Sequence, residues 1–181
     1  ISAIITVISQ SDFPDKWPNL MSTLIGFLNE AELPAIYAIL YTSSLILKRY
    51  EKQSSSDPMM RQVDNVVEYW GETLLVLLTD VLQNKEQCPE LGECFNFCFQ
   101  IIQSLTSTDL PKYIYANIDK FLAIFHQFFG MDNCESIKIT LCMIMKNYII
   151  KFNYEINHWG KNEDDKRTEE SYQNFVAIIE S

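Results

Sequence analysis

The sequence predicts an all-α chain built from helical hairpins, and three observations predict it. Apolar residues recur at helical spacing through most of the chain, starting with Ile1, Ile4, Ile5 and Ile8 on one face. The five glycines are well separated and no Asn-Gly or Asp-Gly pair occurs to close a tight strand hairpin. The breaks between apolar stripes are short and carry proline or clustered polar residues. Together these give about eight helices in four pairs, at approximately 1–30, 33–85, 88–131 and 134–181. Each stripe is too wide for a two-helix contact and needs neighbours on both sides, as in an α-solenoid. A compact helical bundle would bury the same stripes, and periodicity alone leaves both architectures open.

The first pair spans roughly 1–11 and 16–29, joined by Asp12-Phe-Pro-Asp-Lys-Trp-Pro-Asn-Leu20. Pro14 disfavours helical geometry at Phe13, Asp15 can cap the second helix, and Pro18 is tolerated in its first turn, where N–H groups lack intrahelical acceptors. Phe13 and Trp17 are expected to pack beneath this elbow, with Phe13, Pro14, Trp17 and Pro18 as its structural residues. The second pair opens near Leu33-Pro34 and runs to about Tyr50; after the serine-rich stretch 53–57, Asp57-Pro58 starts a long helix to about Asn84. Its stripe is Val63, Val66, Val67, Trp70, Leu74, Leu77, Leu78 and Val81, with Gly71 as a soft point. The third pair starts at Pro89 with the stripe Leu91, Cys94, Phe95, Cys98, Ile102 and Leu105. Asp109 is then expected to cap an unbroken helix from about Pro111 to Gly130. The fourth pair covers about 135–156 and 166–181, separated by a charged loop at 160–165.

Ile8-Ser-Gln-Ser-Asp-Phe-Pro-Asp-Lys-Trp-Pro-Asn-Leu20 resembles the helix-elbow-helix signature of the importin-β (karyopherin) superfamily, and within it the importin-α re-exporters, the CAS-type exportins. Tyr41 to Tyr50, ending Leu-Ile-Leu-Lys-Arg-Tyr, and Asp109-Leu-Pro-Lys-Tyr-Ile resemble the same branch and fall in the same order. The sequence departs from that branch at the serine-rich stretch 53–57, where a more basic, aromatic-containing segment is usual, and in lacking an acidic insertion before Ser136. The resemblance implies a right-handed α-solenoid of about four HEAT-like hairpins, and the spacing of about 40 to 55 residues between hairpins is compatible with such units.

Composition narrows the function classes. The formal net charge is −10, from 24 acidic and 14 scattered basic side chains, which disfavours a nucleic-acid partner because phosphate binding needs clustered Lys and Arg. No uninterrupted apolar stretch approaches about 18 residues, so no membrane span is expected. The five cysteines, Cys88, Cys94, Cys98, Cys134 and Cys142, sit in apolar helical patterns, as in a reducing compartment. The chain opens at Ile1 inside an apolar pattern with no initiator Met, and so reads as part of a longer protein.

No phosphate loop, nucleophile elbow or His-Glu-x-x-His sequence occurs, so no catalytic residue, cofactor site or metal site is expected. Cys94 and Cys98 share a helix face but lie among Phe95, Phe97 and Phe99, with no second pair at zinc spacing, and read as core. His126 lies in a phenylalanine-rich stretch, and His158 beside Trp159 suits a helix end. The pairs Asp164–Asp165 and Glu169–Glu170 have no apolar surroundings to raise a pKa. Phe121, Phe125, Phe128 and Phe129 follow helical spacing and read as core, although they could also line a groove.

Asp64, Glu68 and Glu72 repeat every four residues on one face of the long helix, with Asn65, Asp119 and Lys120 extending a polar surface. A solvated face has the same pattern. The resemblance places this surface on the side used for partners and implies a scaffold that binds Ran-GTP together with importin-α, with Phe-Gly nucleoporins as further ligands and a shuttling existence between nucleus and cytoplasm. An import-type karyopherin is the alternative within the superfamily. From other classes there remain an unrelated α-helical adaptor, an enzyme or a lipid-binding bundle.

Overall fold

A computed structural model describes residues 2–28, 31–54, 56–84, 91–130 and 135–158. In chain order the elements are α1 (Ser2–Asp12), α2 (Leu20–Leu28), α3 (Leu33–Leu47) with a 3₁₀ turn (Lys48–Lys52), α4 (Asp57–Asn84), α5 (Leu91–Leu105), α6 (Lys112–Ala116), α7 (Ile118–Phe129) and α8 (Glu135–His158). No strand occurs among the described residues. The start at Pro89, the side chains of Val81, Leu91 and His158, the residues Cys88 and Cys134, the loop 160–165 and the helix expected from 166 lie outside what is described.

The helices stack in two layers. In one, α1 packs on α3, α3 on α5 and α5 on α8; in the other, α2 packs on α4 and α4 on α6 and α7. Rungs α2–α3, α4–α5 and α7–α8 join the layers, so the principal contacts of each hairpin are with its neighbours in sequence. This ordering is that of a helical solenoid, and it resolves the choice that periodicity left open.

A single apolar cluster runs along the stack from Phe13 to Tyr148. α4 supplies its middle. Val63, Val66, Val67, Trp70, Leu74 and Leu78 are buried, and Pro58 sits in the first turn, where its missing N–H removes no intrahelical bond. α5 and α7 meet through aromatic edges: Phe95 and Phe99 both lie 5.0 Å from Phe128, and Phe99 lies 5.8 Å from Phe125. Such pairs add about 0.5–1.5 kcal/mol each beyond the area they bury. Phe121, Phe125 and Phe128 are core, as their spacing predicts, and only Phe129 of that run is exposed.

Four local expectations are corrected. α2 begins at Leu20 instead of about residue 16, because residues 13–19 form turns. The N–H groups of Lys16 and Trp17 both donate to the Asp12 carbonyl (2.7 and 2.8 Å), and that of Leu20 to the Trp17 carbonyl (3.3 Å). Asp15 and Pro18 thus precede the helix, and Trp17 is half-buried while Phe13, preceding a cis peptide bond to Pro14, is 4% exposed.

The helix expected from Pro111 to Gly130 is broken at Asn117, whose φ of −118° and ψ of 23° lie outside helical values. Its side-chain amide donates to the Tyr113 carbonyl at 2.9 Å while its own carbonyl accepts from Lys120 N–H at 3.0 Å, so one residue closes α6 and opens α7. At the start of α6 the cap position falls to Pro111, and Asp109 Oδ1 accepts from Leu110 N–H instead. Finally, Gly71 is no soft point. It is buried inside an unbroken α4, and a Cβ there would lie 2.6 Å from Tyr113 Cε1 and closer still to Cδ1, so glycine is what lets α6 approach.

Candidate partner-binding surface

The exposed side of the second layer is set by the register of α4. With Val63, Val67, Leu74 and Leu78 turned inward, Asn65, Glu68 and Glu72 emerge on the solvent side. Tyr69 and Val76 emerge with them, 50% and 51% exposed, so this face is acidic and apolar at once. Those two residues gave no signal in the sequence, since each was one more apolar position in an apolar helix.

Asp64 belongs to the packing. Its Oδ1 accepts from Lys112 N–H at 3.1 Å, satisfying a first-turn donor of α6, and its Oδ2 lies 3.8 Å from Lys112 Nζ. The Lys112 side chain is 91% exposed, so the ion pair is screened, and the cap is the stronger part of the contact. Glu72 also faces α6: partial burial, and then the Glu72 carboxylate, push the Tyr113 phenol up. Asp119 and Lys120 are exposed in the first turn of α7, where Lys120 Nζ donates to Asn117 Oδ1 at 2.9 Å. The sites read from sequence thus divide into an open group, Asn65, Glu68, Glu72 and Asp119, and two residues engaged within the fold, Asp64 and Lys120.

The elbow is held by a residue that the site reading missed. Arg49 Nη1 donates to the Phe13 carbonyl at 2.5 Å and lies 3.4 Å from the Ser9 carbonyl, with its guanidinium 5.9 Å from the Phe13 ring centroid. Both carbonyls are at the C-terminal end of α1, where a cation is favoured by the helix dipole. Beside it, Tyr50 is fully buried and Ser107 Oγ donates to the Tyr50 carbonyl at 3.3 Å, so Lys48–Lys52 ties the first hairpin to α5. In the sequence the Lys-Arg-Tyr run carries only a resemblance; its physical work is this tie.

Cys94 and Cys98 are buried and outside any disulfide, and burial, with Cys94 adjacent, pushes the Cys98 thiol up, away from the thiolate that metal binding or nucleophilic attack requires. Among the described residues no group of three or more His, Cys, Asp and Glu comes together, and no helix is long and apolar enough to cross a membrane.

A family model described as Cse1 matches residues 46–162. The chain is 23% identical over 171 residues to the importin-alpha re-exporter of Schizosaccharomyces pombe, covering 84% of this chain and 18% of that protein. It is 28% identical over 145 residues to Exportin-2 of Dictyostelium discoideum, covering 75% and 15%. The solved structure of the exportin Cse1 in its cargo-free, cytoplasmic state shares the fold with a TM-score of 0.69 at 20% identity, over 98% of this chain and 20% of that one. The chain therefore spans less than a fifth of the length of these relatives. Because the family model covers well over half of the chain, and the two-layer helical stack agrees with it, this chain belongs to the Cse1 family.

Proposed function

We propose that the chain is part of a nuclear transport receptor that carries importin-α out of the nucleus together with Ran-GTP, moving between nucleus and cytoplasm. The protein binds and does not catalyse; the hydrolysis of GTP belongs to Ran. Phe-Gly nucleoporins are its further ligands in transit. The observation that carries this reading is the open face of α4, where Asn65, Glu68 and Glu72 surround Tyr69 and Val76, in a solenoid whose relatives bear the names importin-alpha re-exporter and Exportin-2. Acidic side chains attract and orient a basic partner surface at a distance, and exposed aromatic and aliphatic groups supply the short-range contact. Asp119, at the start of α7, extends the acidic field, and Lys120, Asp64 and Lys112 edge it.

The test uses the full-length protein. Assembly with importin-α and GTP-loaded Ran is followed for the wild type and for Glu68→Lys with Glu72→Lys, which leaves the Asp64 cap intact. Association with Ran should slow several-fold at low salt, and the deficit should shrink as ionic strength rises. An unchanged rate at every salt concentration would remove the α4 face from the binding surface. Release of importin-α on adding Ran-GTP, in place of cooperative assembly, would instead identify an import-type receptor.

A further inference from the structure

The other layer carries a surface of opposite charge. Between α1 and the 3₁₀ turn that follows α3 lies a cleft of about 310 Å³, whose lining includes Lys48, Arg49 and Lys52 together with Gln10, Gln53 and Leu45. No Asp or Glu lines it, in a chain where acidic side chains outnumber basic ones 24 to 14. Local geometry produces this sorting. With three residues per turn, Arg49 and Lys52 fall on one side. The acid of the turn, Glu51, is drawn off towards α5, where its Oε1 accepts from Ser104 Oγ at 2.8 Å. Arg49 is fixed by the carbonyls of Ser9 and Phe13, whereas Lys48 and Lys52 are exposed and form no ion pair among the described residues.

We propose that this cleft binds an extended, carboxylate-bearing segment of a partner protein. Two open ammonium groups beside a fixed guanidinium suit successive acidic side chains. The two glutamine amides can both donate to and accept from a peptide backbone, and Leu45 provides apolar contact for its stems. A bare phosphate would use only the cations and leave Gln10, Gln53 and Leu45 without a role. The site is on α1 and α3, not on α4, and stands independently of the Ran reading.

Titration of a fluorescent hexaglutamate peptide into the full-length protein tests it. Saturable binding is expected, weakening with salt and falling at least tenfold in Lys48→Glu with Lys52→Glu. The milder pair Lys48→Gln with Lys52→Gln should fall in between, which separates a charge effect from damage to the fold. Arg49 is left untouched because it holds the elbow. Absence of saturable binding, equal affinity in the charge-reversed protein, or displacement of the peptide by an equal concentration of inorganic phosphate would each overturn the proposal.

Discussion

Between the first and second hairpins, Arg49 reaches across to two carbonyl oxygens at the end of α1; between the second and third, the missing Cβ of Gly71 leaves room for the ring of Tyr113 to meet α4. The first junction seats a hairpin of short helices, 11 and 9 residues long, on the second hairpin, and the end of α1 leaves orphan carbonyls that need a donor from outside. The second is organised around a helix of 28 residues with a continuous buried stripe, and there the limiting quantity is space. One junction therefore fails when a group is removed, the other when a group is added.

The largest effect should come from emptying the first junction. Phe13→Ala, at a position 4% exposed, should lower stability by about 3–5 kcal/mol in denaturant unfolding. Trp17→Ala should cost less than about 3 kcal/mol because the indole is only half-buried. A loss below about 1 kcal/mol for Phe13→Ala would show that the elbow is not packed on the core. Next is Arg49→Met, which keeps the aliphatic stem and leaves the Ser9 and Phe13 carbonyls without their charged donor; a loss of about 2–3 kcal/mol is expected. If Arg49→Met proved neutral, the contrast between the junctions would collapse.

At the second junction, Gly71→Ala gains about 1 kcal/mol of helix propensity but drives a methyl group into the Tyr113 ring, at about 1–3 kcal/mol. The net loss should reach up to about 2 kcal/mol, and in a Tyr113→Ala background the same change should become stabilising. A double-mutant cycle without that reversal of sign would refute the steric account.

The smallest effect at neutral pH belongs to Tyr50→Phe, within about 1 kcal/mol of zero, because the buried hydroxyl has no hydrogen-bond partner among the described residues. The difference emerges in alkali. Burial pushes the Tyr50 phenol up to about 12, with the Arg49 charge pulling it down by a lesser amount. An unfolded tyrosine ionises near pH 10. The folded state thus holds its proton more tightly, and stability present below pH ~10 is lost as pH rises towards ~12, at up to ~1.4 kcal/mol per pH unit. Comparing the two proteins across that window isolates Tyr50 from Tyr148, whose phenol burial also pushes up. Equal alkaline loss in both would remove Tyr50 as its source.

Much of the stack was legible because helical periodicity and proline mark the same places. Asp57-Pro58 opened α4 and Leu33-Pro34 opened α3 as read, since proline at a first turn is a local signal. The break at Asn117 was hidden because Ile114, Ile118, Phe121 and Leu122 keep their spacing and their burial across it. Trp17 was over-buried by the same kind of reasoning: its size suggests the core, but the turns after Asp12 delay α2 and leave the indole partly outside. On α4, the spacing of Asp64, Glu68 and Glu72 correctly put them along one helix. It could not show that Asp64 spends its oxygens on Lys112, because that bond spans 48 residues. Arg49 was missed for the same reason, with its acceptors 36 and 40 residues away. Local pattern reports which way a residue faces; it is silent on what arrives there from the next hairpin.

Among the described residues the principal contacts between helices link successive hairpins, and this arrangement has a mechanical meaning. Junctions in such a stack act as springs in series, so their compliances add and a slight tilt at each becomes a large displacement between the ends. Under a pulling force the same arrangement should yield as a succession of small ruptures, with hairpins on either side of a broken junction keeping their own internal packing. A clamp like that of Arg49 then sets the stiffness of one link and leaves the others free to bend.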